Sequence, residues 1–246
     1  MLTSRQLIIA LAIKHNGDWK KIYADIQSRN MQDLDAYYVD TPCITILDAG
    51  YPEILKQSAM PPFVLFFKGD INLLNARDTI AILGNREPSE ETKIFTRAFV
   101  DTLNQERVIV SPLSVGTSTI ATESALEHGN KVIAMLGSGI DYCYPASNKG
   151  LYDRIIAEGG LIVSEYPSDT MPTAEQMPAR NRIIAAFADN ICSMQATGHT
   201  SIIMTLTMAL TANKKIFAKA NYQDASDFNN RILDEGAYVL TLATAI

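Results

Sequence analysis

Arg180, Asn181 and Arg182 stand together in PARNRIIAAFA, residues 178 to 188. Two guanidiniums flanking an amide suit phosphate, because each offers a planar fork of N–H donors and a charge that does not titrate. The chain around them is acidic, with 27 Asp and Glu against 21 Lys and Arg and a formal net charge of -6. A positive spot on such a molecule acts locally, since salt screens fields beyond ~10 Å. The same chemistry recurs as Arg86 in GNREPS (84–89) and as Lys149 in GSGIDYCYPASNKG (137–150). Both stretches are rich in small residues, which let backbone N–H groups face an anion. The candidate phosphate site is therefore Gly84, Asn85, Arg86, Ser89, Gly137, Ser138, Gly139, Asp141, Tyr144, Asn148, Lys149, Arg180, Asn181 and Arg182.

Each of these residues also has an ordinary explanation. Arg180 and Arg182 suit helix-start charges pairing with Glu175 or Asp189, although cations there oppose the helix dipole. Arg86 suits a surface salt bridge, and Lys149 a solvated lysine. Gly137-Ser138-Gly139 opens a dinucleotide-type GxGxx run, but Tyr142 stands where its third glycine belongs. Asp141 and Glu165 suit either an acid–base pair or loop capping. Tyr142 and Tyr144 suit base stacking or packing. His199 sits in a polar turn with the same ambiguity.

The elements that must position these residues follow from hydrophobic period. From residue 79 onward, apolar runs such as TIAILG, RVIVS, KVIAML and LIVSEY alternate with helical patterns such as EETKIFTRAFVDTLNQ and TSTIATESALEHG. Strands apolar on both faces, alternating with helices, predict a doubly wound, mostly parallel α/β sheet of Rossmann-like class. In that class ligands bind beyond the carboxyl ends of the strands. The GNREPS, SPLSVGTST, GSGIDYCYPASNKG, SEYPSD and TGHTS loops all fall there, and helices are expected from about 147, 178 and 201. Residues 1–40 read as a small helical appendage, with one helix ending at Asn16-Gly17 and a second capped by Asp18. Residues 41–78 read as edge strands added to a 79–246 core, through CITILD and FVLFFKG.

Composition narrows the classes. Hydrophobic content of 47% supports a full core. The longest early apolar run, residues 7 to 13, is too short to span a bilayer, so a cytoplasmic protein with no membrane partner is expected. Three scattered cysteines and three scattered histidines imply neither a disulfide framework nor a metal site. No Walker A, G-x-S-x-G or H-E-x-x-H motif occurs. A sequence pI near 5.1 argues against broad coating of duplex DNA.

Five ordered motifs resemble the DNA-processing protein A (DprA/Smf) family over about residues 41 to 240. GSGIDYCYPASNKGL carries the family's G-x-G-(L/I)-D-x-x-Y-P-x-x-N-x-x-L pattern in full. EGGLIVSEYP resembles its G-G-x-x-x-S-E-x-P, PARNRIIAAFA its P-x-R-N-R-I-I-A, AILGNREPS its V-G-x-R-x-x-S, and YPEILKQSAMPPFVLFFKGD its Y-P…P-P segment. Departures also occur. Ser118 stands at the family's aspartate, Thr122 at its histidine, Gln195 at its glutamate, and His199-Thr200 at a small Ser-Gly stretch. These remove acidic and small groups from the strand-end crevice and argue against a hydrolytic or nucleotide-binding role resting on those positions.

The resemblance implies a single-stranded DNA-binding accessory protein of recombination and DNA uptake. It would protect the strand and help load a RecA-type recombinase, as a homodimer without cofactor or enzymatic activity. It implies DNA contacts for Arg86, Lys149 and the Arg180-Asn181-Arg182 element. The family's C-terminal winged helix is not expected in this sequence. The alternative from a different class is a nucleotide sensor or nucleotide-cleaving enzyme, suggested by GTSTIATE at 116 to 123.

Overall fold

The structure is a computed structural model that describes residues 2–31, 34, 40–198 and 201–244. Helices α1 (Ser4–Lys14) and α2 (Trp19–Ser28) open the chain. Thr3 and Gln6 form a reciprocal capping box at the start of α1, and Asp18 accepts the Lys20 and Lys21 N–H groups at the start of α2. Asn16 and Gly17 turn the chain between them with positive φ. Trp19 of α2 stacks on Phe63, and its indole N–H donates to the Pro61 carbonyl at 2.7 Å. This pins the helical pair to the segment that enters the sheet.

Two antiparallel strands follow, β1 (Cys43–Thr45) and β2 (Val64–Gly69), with the short helix α3 (Glu53–Lys56) between them. Seven further strands are β3 (Thr79–Leu83), β4 (Val108–Ser111), β5 (Val132–Leu136), β6 (Leu161–Ser164), β7 (Asn190–Ser193), β8 (Lys215–Ala218) and β9 (Tyr238–Val239). They form one sheet of order β1-β2-β6-β5-β4-β3-β7-β8-β9. Pairing from β6 to β9 is parallel throughout, and β2 joins β6 antiparallel with Phe66 opposite Ser164. This is the doubly wound α/β sheet that the alternating pattern predicts.

The pleat divides each strand between two cores. Ile80 and Ile82 of β3 face one side, with Phe99 of α4 (Glu90–Asp101), Ala125 of α5 (Thr117–His128) and Ile155 of α6 (Lys149–Ala157). Ala81 and Leu83 face the other, with Ile184 of α7 (Gln176–Phe187), Leu206 of α8 (Ser201–Thr211) and Ile232 of α9 (Phe228–Asp234). Every residue of β3, β4 and β5 is buried, which is why these stretches lack strand alternation.

The chain leaves β3 toward the α4 face and leaves β7 toward the α8 face. The carboxyl ends of these two neighbouring strands therefore flank a crevice at the point where strand order reverses. Gly116 stands between Val115 and Ser118, two of the crevice's lining residues. Its φ is +82°, and a Cβ there would lie 2.2 Å from the Arg86 carbonyl oxygen. Gly116→Ala is expected to cost about 1–3 kcal/mol of stability from backbone strain, before any added clash. Denaturant unfolding with an unchanged midpoint would show that the loop relaxes freely.

Local differences from the expected elements matter for the site. Helix α7 begins at Gln176, so Arg180 and Arg182 lie a turn inside it and not at its mouth. Their charges are therefore not explained by the dipole at the first turn. The helix expected over about 147 to 158 is present as α6, entered through a 3-10 turn at Ala146–Asn148. Only the first three residues of CITILD form a strand.

Candidate nucleic-acid interface

The crevice between the β3 and β7 ends has a volume of about 600 Å³. Leu83-Gly84-Asn85-Arg86 supplies one side and Pro112, Ser114 and Ser118 the next. Gly137, Tyr144 and Pro145 close a third side, and α7 contributes Met177, Arg180 and Asn181. Thr197 lies past the end of β7, and Ser201 and Thr205 of α8 complete the lining. Of the expected site residues, Gly84, Asn85, Arg86, Gly137, Tyr144, Arg180 and Asn181 are thus brought together.

Glycine is required at 84 by close approach, since a Cβ there would sit 2.4 Å from the Thr117 hydroxyl oxygen. Asn85 acts as a clamp. Its carbonyl accepts the Thr117 N–H at 3.0 Å, its amide donates to the Thr197 hydroxyl, and its Oδ1 accepts the Thr197 N–H at 3.2 Å. One residue, through its backbone carbonyl and its side-chain amide, ties three strand-end loops together. Arg86 then projects, exposed, from a fixed base. Among the described residues no carboxylate lies within ion-pair distance of Arg86.

Arg180 is the opposite case, a guanidinium only 5% exposed. Its Nε donates to Asn181 Oδ1 at 3.0 Å, and its Nη1 donates to the carbonyls of Pro112, at 2.7 Å, and Met135. Asn181 is itself held by the Ser201 carbonyl at 3.2 Å. Carbonyl dipoles orient Arg180 without cancelling its charge, and no described carboxylate pairs with it. Burial lowers its pKa to about 10, and the nearby Arg86 charge pushes in the same direction. Two cations that feel each other at one crevice, with no described acid within ion-pair distance of either, are poised for an anion.

Arg182 is not part of that arrangement, which corrects the expectation that it shares a rim with Arg86. Residues i and i+2 of a helix do not face the same way. Arg182 turns to the far side of α7 and forms a bidentate pair with Glu165, at 3.0 and 2.6 Å. It also donates to the Met60 and Ala179 carbonyls. Glu165 is 4% exposed, and burial raises its carboxyl pKa against the opposing pull of Arg182. This pair joins α7 to the end of β6 and borders a separate cavity of about 900 Å³.

Other expected contacts serve the loops themselves. Ser89 caps α4 by accepting the Thr92 N–H at 3.2 Å. Ser138 donates to the Tyr142 carbonyl at 2.6 Å and accepts from Ser164. Gly139 passes so close to the next loop that a Cβ would meet the Pro167 and Ser168 carbonyls at 2.4 Å. Asn148 is buried, donating to the Leu113 carbonyl and the Thr119 hydroxyl at 3.0 Å each. Asp141 is paired with Lys68, and Lys149 with Asp153 at 2.6 Å on the surface of α6. None of these six residues lines the crevice. The GSGIDYCYP motif is mainly folding chemistry that delivers Gly137 and Tyr144 to the site.

The crevice also contains residues that motif reading passed over. Ser114, Ser118, Thr197, Ser201 and Thr205 line it with hydroxyls. Ser114, Ser118, Thr197 and Ser201 fall in the loops and helix starts that follow β4 and β7, whereas Thr205 lies a turn inside α8 and carried no signal. His199 falls outside the described residues. Among the described residues no group of three or more His, Cys, Asp or Glu could hold a metal ion, and no helix is long and apolar enough to cross a membrane.

Comparison with known proteins agrees with the motifs. The family model of DNA recombination-mediator protein A matches residues 42–246. The DNA processing protein DprA of Streptococcus pneumoniae is 31% identical over 258 residues, covering 98% of this chain and 91% of that one. Protein Smf of Synechocystis is 33% identical, covering 94% of this chain and 61% of its own length. The solved structure of the pneumococcal protein superimposes with a TM-score of 0.80 at 29% identity, over 97% of this chain and 90% of that one. That of DNA processing protein A from Helicobacter pylori, which concerns its single-stranded DNA binding mode, gives 0.72 at 30% identity over 83% and 93%. A buried arginine and an exposed one at the switch point of a doubly wound sheet, with a family match over most of the sequence, make this chain a member of the DNA recombination-mediator protein A (DprA/Smf) family.

Proposed function

We propose that the chain binds single-stranded DNA through the crevice at the β3 and β7 ends, with Arg86 and Arg180 as the phosphate contacts. The carrying observation is that these two guanidiniums converge without a described carboxylate partner. The crevice lining includes one acid, Glu87, which is exposed, and many hydroxyls; that composition favours holding an anion over hydrolysing it. The reading is a binding protein of DNA processing, not an enzyme. Tyr144 is 48% exposed at the crevice edge and offers a face for a base. Lys149 and Arg182 are not assigned to the contact.

The proposal extends to a cytoplasmic accessory role that protects single strands and presents them to a RecA-type recombinase. The support for that step is the family. A homodimer is part of the same proposal, and the apolar Tyr238, Val239 and Leu242, each about half exposed at the β9 end of the sheet, support it.

Fluorescence anisotropy with a labelled single-stranded oligonucleotide tests the central claim. Neutralising two phosphates gives a slope of log affinity against log salt of roughly -1.4, and Arg86→Ala should reduce it to roughly -0.7. Duplex DNA should compete poorly. An Arg86→Ala slope equal to the parent's removes Arg86 from the contact.

A further inference from the structure

The charge balance of the crevice points to a second ligand class for the same site. In a bound strand each guanidinium meets its own phosphodiester, which carries one negative charge. A phosphate monoester carries about -1.5 to -2 at neutral pH and matches both. A triphosphate exceeds that charge and generally arrives with a divalent cation, for which the described lining residues offer one carboxylate, the exposed Glu87. The volume of about 600 Å³ falls within the roughly 300–1,000 Å³ typical of small-molecule sites. Its walls are mixed in the way a nucleotide requires. Val115, Pro145, Met177 and Ile202 supply apolar surface for a base, and the hydroxyls of Ser118 and Thr197 supply polar partners for a sugar. The start of α5 adds to the anion preference, since Gly116 caps it without a side chain and its first turn holds no acid.

We propose that this crevice is a seat for one nucleotide, which a free nucleoside 5′-monophosphate occupies in competition with single-stranded DNA. The protein would then sense the monophosphates released when DNA is degraded, and its capacity for strands would fall as they accumulate. This rests on the crevice being the strand-binding site, but the two ideas fail separately.

The probe is dTMP, with thymidine and inorganic phosphate as parallel arms, read by thermal shift and by displacement of a labelled oligonucleotide. The expected result is that dTMP raises the melting temperature by mass action and displaces the oligonucleotide. Thymidine and phosphate alone should each be at least about tenfold weaker, a gap of roughly 1.4 kcal/mol. Arg86→Ala, a change at an exposed position, should weaken dTMP by about tenfold or more. Val115→Trp should obstruct the crevice without altering charge and weaken dTMP as well. Equal binding of phosphate and dTMP overturns the proposal, because the nucleoside then contributes nothing. So does an oligonucleotide that binds with Arg86 dependence while dTMP neither binds nor competes; that result leaves the strand site intact. Binding of dTMP with Arg86 dependence but no oligonucleotide binding supports the nucleotide seat and removes the strand reading.

Discussion

Arg180→Gln should lower affinity for a single-stranded oligonucleotide by roughly 10- to 100-fold, the range of one charge-assisted hydrogen bond. The reason lies in how the residue is held. Two carbonyls and one amide orient the guanidinium, and no described acid cancels it. Its charge is therefore stored in the fold at a cost that burial makes visible in the lowered pKa. A phosphate offsets that cost, which makes the contact stronger than one from an exposed cation. Glutamine keeps a donor for one carbonyl and removes the buried charge. The lost hydrogen bond and the relieved desolvation act in opposite directions, so stability should stay within about 1 kcal/mol of the parent. Anisotropy and thermal unfolding of the same preparation separate the two effects. If affinity is retained, Arg180 is not a DNA contact. If affinity and stability collapse together, its role is structural and the site as located here is wrong.

Breaking the pair on the other face of α7 should do the reverse. Glu165→Ala leaves Arg182, whose side chain is 12% exposed, without its carboxylate. Removing one partner of a buried pair costs about 3–5 kcal/mol. For a chain of this size that is a fall in melting temperature of roughly 6–20 °C. The Glu165→Leu/Arg182→Met double variant should recover most of the loss, because burial already outweighs the attraction at Glu165 and apolar side chains avoid both desolvation costs. Oligonucleotide affinity of the folded double variant should stay within about threefold of the parent, since neither residue lines the crevice. A large loss of affinity in a stable double variant would return Arg182 to the DNA contact.

These two arginines show where reading the sequence stopped. PARNRIIAAFA was read as a phosphate-binding element with both arginines on it, although the i, i+2 spacing places them on different helix faces. What the spacing did not contain was which face met the crevice. That depended on α7 starting at Gln176 and packing Ile184 against the sheet, which turns Arg180 toward Met135 and Arg182 toward Glu165. Asn85, Ser138 and Asn148 are similar. Polar residues in glycine-rich loops were read as ligand groups; Asn85 and Asn148 bond to neighbouring loops, and Ser138 bonds within its own.

By itself the sequence determined the class of fold, the family, and the strand ends where a site would lie. Those are properties of local pattern: apolar runs buried on both faces, helix caps such as Thr3 and Asp18, and motifs whose order survives in one dimension. Only the tertiary structure decided which cations converge and which are neutralised. The partners involved, Pro112 and Met135 for Arg180 and Glu165 for Arg182, lie 68, 45 and 17 residues away along the chain. Charge acts through space, and folding alone determines which charges meet.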